Sequence, residues 1–175
     1  MVAGGYLMNS RKSDRRKFLG RTLTGSAAAA GAATLAVPGV ALAAKGKATK
    51  KVIYRPGEQP SPEKILSSGI QFGNLIFVSG AGAHDPKTHK VVDGPFPNQV
   101  RQCLENVKTV VEAAGSSMDR VLKCLVFLTD ISTFQEMNKV YHTFFPTNPP
   151  ARSTVAVKEL PGESPIEIEC IAYVD

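Results

Sequence analysis

The sequence predicts an α+β domain in which two helices pack on one face of a mixed β-sheet. Three observations predict it. Short runs of branched and aromatic residues, bounded by glycine and proline, read as strands. Two longer stretches repeat apolar residues at three and four positions and read as helices. The order is strands, helix, strand, helix, strands, which suits one layer of helices on one sheet. A chain of 175 residues holds one such domain with a tail.

Residues 44–62 are polar and carry Pro56-Gly57 and Pro60, so they read as a linker with room for one short edge strand at Val52–Tyr54. The domain proper is assigned to 63–175. Gly69-Ile70-Gln71-Phe72 and Leu75-Ile76-Phe77-Val78 are two strands, and Gly73-Asn74 between them is a hairpin turn. Gly80 and Gly82 then allow a tight backbone course. From Asn98 to Ala114 the residues Val100, Leu104, Val107, Val111 and Ala114 form one helical stripe, and Gly115 is a natural C-cap. Val121 to Leu128 is dense in branched residues and reads as a buried strand. Asp130 can cap the next helix. Its inner face is Phe134, Met137, Tyr141 and Phe144, with Asn138 nearby, and Pro146 and Pro149-Pro150 stop it. Ser153 to Val157 is a further strand, and Leu160-Pro161-Gly162 turns the chain. In the last strand Ile166, Ile168, Cys170 and Ala172 face one way, and Glu167, Glu169, Ile171 and Tyr173 the other. Two helices protect one side of a sheet, so the other side calls for oligomerisation.

The charge is unevenly distributed. Residues 1–43 hold Arg11, Lys12, Arg15, Arg16, Lys17 and Arg21 against Asp14 alone. From Val52 onward there are 11 basic and 14 acidic residues, a net of −3. The formal +6 of the whole chain is therefore an N-terminal feature, and a nucleic-acid-binding face is disfavoured. Arg15-Arg16 precedes an uncharged, mildly apolar stretch from Thr22 to Ala44, which passes through Ala41-Leu42-Ala43. Basic region, weakly apolar region and small-residue site, in that order, resemble a twin-arginine export signal over 1–43. Glycine, serine and threonine make the stretch too polar for a retained membrane anchor. The expected partner of the precursor is the twin-arginine export machinery. The expected location is periplasmic or secreted after signal removal.

Several chemistries lack their residues. Cys103, Cys124 and Cys170 have no CxxC spacing and sit in apolar segments, so they read as buried free thiols, the alternative being one disulfide with a leftover thiol in an oxidising compartment. His84 and His89 flank a turn at Asp85-Pro86, and His142 is distant, so no metal cluster is expected. Gly80-Ala81-Gly82 does not continue into a helix as a phosphate loop would. No Gly-x-Ser-x-Gly elbow occurs. No cofactor is expected.

Two features remain. Arg152 follows Pro149-Pro150-Ala151 and opens a strand. It is either a solvated surface arginine or a fixed guanidinium for a substrate carboxylate. Glu167 and Glu169 share one face of an otherwise apolar strand. That face is either wet or lines a site where a carboxylate could orient water or shuttle a proton.

The chain resembles the Rid family of reactive intermediate/imine deaminases, also called YjgF/YER057c/UK114. The likeness lies in Gly73 to Gly80, Gln102 to Val107, Val111 to Gly115, Phe134 through Asn138 to Phe145, Pro150-Ala151-Arg152-Ser153-Thr154, Leu160-Pro161 and Ile166 to Glu169. It covers about residues 52–174. The resemblance implies a chorismate-mutase-like (YjgF-type) subunit in a homotrimer with clefts between neighbours. It implies hydrolysis of small 2-imino or enamine acids to 2-keto acids and ammonia. Arg152 matches the arginine that holds the substrate carboxylate, and Glu167 the glutamate that positions or activates water. Asn138 and Ser79 match positions that line or support the cleft. Thr154 stands where many members have cysteine, which keeps a small polar group in the substrate site. Leu66 stands where the more active branch has tyrosine, and an isobutyl group cannot hydrogen-bond. The alternative implied by that change and by an export signal is a non-catalytic trimer that binds small carboxylates or a protein partner.

Overall fold

The computed structural model describes residues 48–175. The twin-arginine-like segment at 1–43 lies outside the described residues. The elements are β1 (Lys50–Ile53), β2 (Gly69–Phe72), β3 (Leu75–Gly82), α1 (Phe96–Ala113), β4 (Val121–Leu128), α2 (Phe134–Phe144), β5 (Ala151–Ala156) and β6 (Ile166–Tyr173). They form one six-stranded sheet in the order β1-β2-β3-β6-β4-β5. The β4–β5 pair is parallel and the other pairs are antiparallel, so the sheet is mixed as expected. Among the described residues, no helix is long and apolar enough to cross a membrane.

Both helices lie on one face. The alternation read from the last strand holds: Ile166, Ile168, Cys170 and Ala172 are buried beneath them, and the intervening residues are not. Val100, Leu104, Val107 and Val111 of α1 and Met137 and Tyr141 of α2 complete that core. The three cysteines are buried and free. At the end of α1, Ser116 N donates to Val111 O and Gly115 N to Glu112 O, with Gly115 at φ 82°. This is the paired-bond helix ending that a left-handed glycine permits.

The opposite face is uncovered. Phe77 and Val155 are each 44% exposed, and Leu75 is exposed beside Phe77. Register places Leu125, Phe127 and Ile171 on the same side. Such an uncovered face, with apolar residues on either side of Glu167 and Glu169, is what a partner subunit would cover.

Several boundaries differ from the sequence reading. The first strand, β1, sits at Lys50–Ile53, starting two residues before Val52 and ending one before Tyr54. The third, β3, runs on to Gly82 because a bulge lets it stay paired past Val78. The first helix, α1, starts at Phe96, since Pro97 fits a first turn whose N–H would be unpaired anyway. Asp130 caps a short 3-10 turn at Ile131–Thr133, accepting from Ser132 N, and α2 follows that turn. Finally, β5 begins at Ala151, so Arg152 lies inside the ladder opposite Cys124.

Candidate active site

The candidate residues fall into two groups. Arg152 and Thr154 are two positions apart on β5 and so share a face, the face that carries Cys124 and Val126 of β4 beneath the helices. Because β5 is the edge strand and α2 lies over it, the Arg152 side chain meets that helix. Its Nη2 donates to Asn138 Oδ1 at 2.7 Å, and its Nη1 lies 3.9 Å from Met137 Sδ. The guanidinium carbon sits 4.5 Å from the Tyr141 ring centre and 5.5 Å from that of Phe134. Two ring faces attract a cation without neutralising it. No carboxylate pairs with Arg152 among the described residues. A hollow of about 380 Å³ opens beside it, with Asn138, Tyr141, His142, Phe145 and Pro150 in its wall. Burial raises the Tyr141 hydroxyl well above the ordinary tyrosine range, so it stays neutral. Thr154 Oγ1 is buried and lacks a hydrogen-bond partner among the described residues.

The second group is built largely from backbone. Val78 pairs with Cys170 and Ala81 with Ile168, so β3 carries one more residue than β6 between those pairs. Ser79 and Gly80 occupy this bulge. Ser79 is tied on both sides: its N–H donates to Ser68 O at 3.1 Å and its Oγ to Ser67 O at 2.7 Å. Behind the bulge, Cys103 Sγ donates to Ala81 O, and Asn106 Nδ2 donates to Gly82 O at 2.9 Å and His84 O at 2.8 Å. Glu167 lies over Gly80. A Cβ at Gly80 would stand 2.7 Å from Glu167 Cδ and overlap its Oε1. The glycine is therefore a steric requirement of the carboxylate's position.

Partial burial raises the Glu167 carboxyl above the ordinary range. The neighbouring Glu169 charge raises it further, and His84 opposes both. Leu66, 66% exposed, lies in the loop whose Ser67 carbonyl holds Ser79.

One chain brings Arg152, Asn138 and Thr154 together, and separately Ser79 and Glu167. It does not join the two groups. Glu167 pairs with Phe127 of β4, on the uncovered face, whereas Arg152 is on the helix-covered face. Gly80, Tyr141 and Phe134 are contributors whose roles sequence reasoning did not assign. The signal for the rings was their helical spacing with Asn138, and Gly80 carried only a glycine's general freedom. Among the described residues, no group of three or more His, Cys, Asp or Glu side chains could hold a metal ion.

The chain is similar in sequence and fold to known proteins. The family described as endoribonuclease L-PSP matches residues 56–174. A RutC family protein of Pyrococcus horikoshii is 44% identical over 124 residues, covering 71% of this chain and 98% of that protein. A 2-iminobutanoate/2-iminopropanoate deaminase of Dermatophagoides farinae is 36% identical over 126 residues, covering 72% of this chain and 98% of that protein. The crystal structure of E. coli TdcF with bound serine superposes with a TM-score of 0.65 at 35% identity, covering 71% of this chain and 99% of that one.

Proposed function

The chain belongs to the endoribonuclease L-PSP family, and on that premise we propose that it hydrolyses small 2-imino and enamine carboxylic acids to 2-keto acids and ammonia. The observation that carries this reading is Arg152. Its guanidinium is held by a neutral amide oxygen and two rings, with no carboxylate partner among the described residues. Its charge is thus available to a substrate carboxylate, which it can grip with two parallel N–H donors. Serine, bound in the TdcF crystal structure, is a small amino acid that carries such a carboxylate.

The chemistry asks little beyond placement. The protonated imine carbon is already electrophilic. Glu167 takes a proton as water attacks that carbon, forming the C–O bond of a carbinolamine. The proton then passes to nitrogen; Glu167 takes the carbinolamine hydroxyl proton as the C=O forms and the C–N bond breaks, and ammonia leaves, carrying that proton off as ammonium. Glu167 must be ionised for the first step.

Because Arg152 and Glu167 occupy opposite faces in one chain, the reading requires two copies per site. A homotrimer fits, with the uncovered sheet face closed by neighbours and the arginine group of one copy meeting the glutamate group of the next. In the same reading the precursor passes through the twin-arginine export machinery to a periplasmic or secreted location. Support for a separate leader is the residue order of 1–43 and a family match that begins at residue 56.

A second reading, a non-catalytic trimer binding small carboxylates or a protein partner, is favoured by Leu66. It leaves the glutamate group without a phenol and exposes an isobutyl group instead. Turnover separates the two. With 2-aminoacrylate generated in situ, the protein should accelerate ammonia release. Arg152→Ala should weaken substrate binding by about 1.5–3 kcal/mol, the scale of a charge-assisted hydrogen bond. Tight binding of a keto acid without any acceleration would establish the binder.

A further inference from the structure

We propose that a second cavity, beside α1 and distinct from the imine site, binds a small organic carboxylate with an apolar body. It lies between the turn after β1, the loop after β3 and the outer side of α1, with a volume of about 620 Å³. Arg55, Pro56, Lys64, Pro86, His89 and Thr109 are in its wall. Asn106, which holds Gly82 O and His84 O behind the bulge, also borders it, but Arg152, Asn138, Thr154, Ser79 and Glu167 do not.

Charge sets the ligand class. Arg55 is in the wall, and it joins no ion pair among the described residues. A guanidinium with no carboxylate partner takes one from a ligand as its strongest acceptor. Glu58 is the one acid in the wall, and its carboxylate is already committed. It accepts from Arg55 N at 2.7 Å and Ser68 Oγ at 2.9 Å, and pairs with Lys64 Nζ. With that pair closed, the Arg55 charge is left over.

Shape sets the rest. The volume greatly exceeds a carboxylate and falls in the range of sites for small organic molecules. Pro56 and Pro86 offer apolar walls for a flat body. The rim is held in place. Asp85 Oδ1 accepts from Lys87 N at 2.9 Å and Thr88 N at 2.8 Å, while His89 N donates to Asp85 O at 2.9 Å with His89 in the left-handed region at φ 59°. A rim fixed without ligand makes the site preformed.

Benzoate and its neutral counterpart benzamide are the probes, titrated into the full chain carrying Arg152→Ala and followed by amide chemical shifts. Removing Arg152 silences the carboxylate group of the imine site, so remaining benzoate binding reports the cavity. Saturable millimolar binding is expected, with the largest shifts at Gly57, His89 and Thr109 and none with benzamide. Arg55→Gln should weaken it by about tenfold or more. Thr109→Trp, which fills the cavity from α1, should abolish it. Both substitutions in a chain with intact Arg152 should leave imine turnover unchanged. Equal binding of benzamide, shifts confined to β5 and α2, or undiminished binding in both variants would overturn the proposal.

Discussion

The arginine group and the glutamate group are built in opposite ways. Arg152 is placed by side chains: the Asn138 amide, the Met137 sulfur and two rings, all from α2. Glu167 is placed by backbone: a bulge in β3, a missing side chain at Gly80, and the carbonyls of Ser67 and Ser68 gripping Ser79. A side-chain brace tolerates loss of one member, because the others still hold the guanidinium. A backbone seat fixes position more narrowly, because an atom added at Gly80 enters the carboxylate's space and the flexible Glu167 side chain must swing away. The two groups also lie on opposite faces of one sheet, so under the proposed function their cooperation requires an assembly.

The sharpest test of that difference uses two crippled chains. Arg152→Ala and Glu167→Gln should each lose most turnover, the second by about a hundredfold or more as general-base losses run. Co-assembled from equal amounts, they should regain activity. If each site draws its arginine from one copy and its glutamate from the next, random mixing restores about a quarter of the sites. A mixture no more active than its parents would place both groups in one chain and break the comparison.

Gly80→Ala tests the backbone seat alone. The added Cβ must push the Glu167 carboxylate aside, and a displacement on the ångström scale costs about a hundredfold in rate. The loss should fall on kcat, with KM nearly unchanged, since the Arg152 group is untouched. Turnover within twofold of the parent would show that the carboxylate's position over Gly80 is not the one that reacts.

The same contrast explains what was legible in the sequence. Periodicity exposed both helices and the alternation of β6, because burial on one face leaves a residue-by-residue trace. Arg152, Asn138 and Thr154 could be nominated because side-chain chemistry is written in residue type. The bulge could not. Ser79-Gly80 reads like any strand end, and only pairing with β6, some ninety residues later, shows that one residue is extra. The separation of Arg152 from Glu167 depends on register between β4, β5 and β6, which no local pattern encodes.

The smallest expected effect comes from the electrostatics of the glutamate group. Partial burial and then the Glu169 charge raise the Glu167 carboxyl above its ordinary value, against the pull of His84. Water activation needs the carboxylate, so turnover should fall as pH drops through that raised value. Glu169→Gln removes the like charge, favours the ionised form, and should move the acid limb to lower pH with little change in the plateau. Stability should report the same shift with opposite sign. A folded-state carboxyl that holds its proton more tightly than the unfolded one weakens the fold above its folded pKa and not below its unfolded pKa. Glu167→Gln should therefore melt at a higher temperature than the parent at neutral pH, and the gap should close as the pH falls through the carboxylate range. An acid limb unmoved by Glu169→Gln would take Glu169 out of the site's electrostatics. A neutral-pH melting point lowered by Glu167→Gln would mean that the carboxylate stabilises its seat, and the backbone group would then be no more strained than the side-chain one.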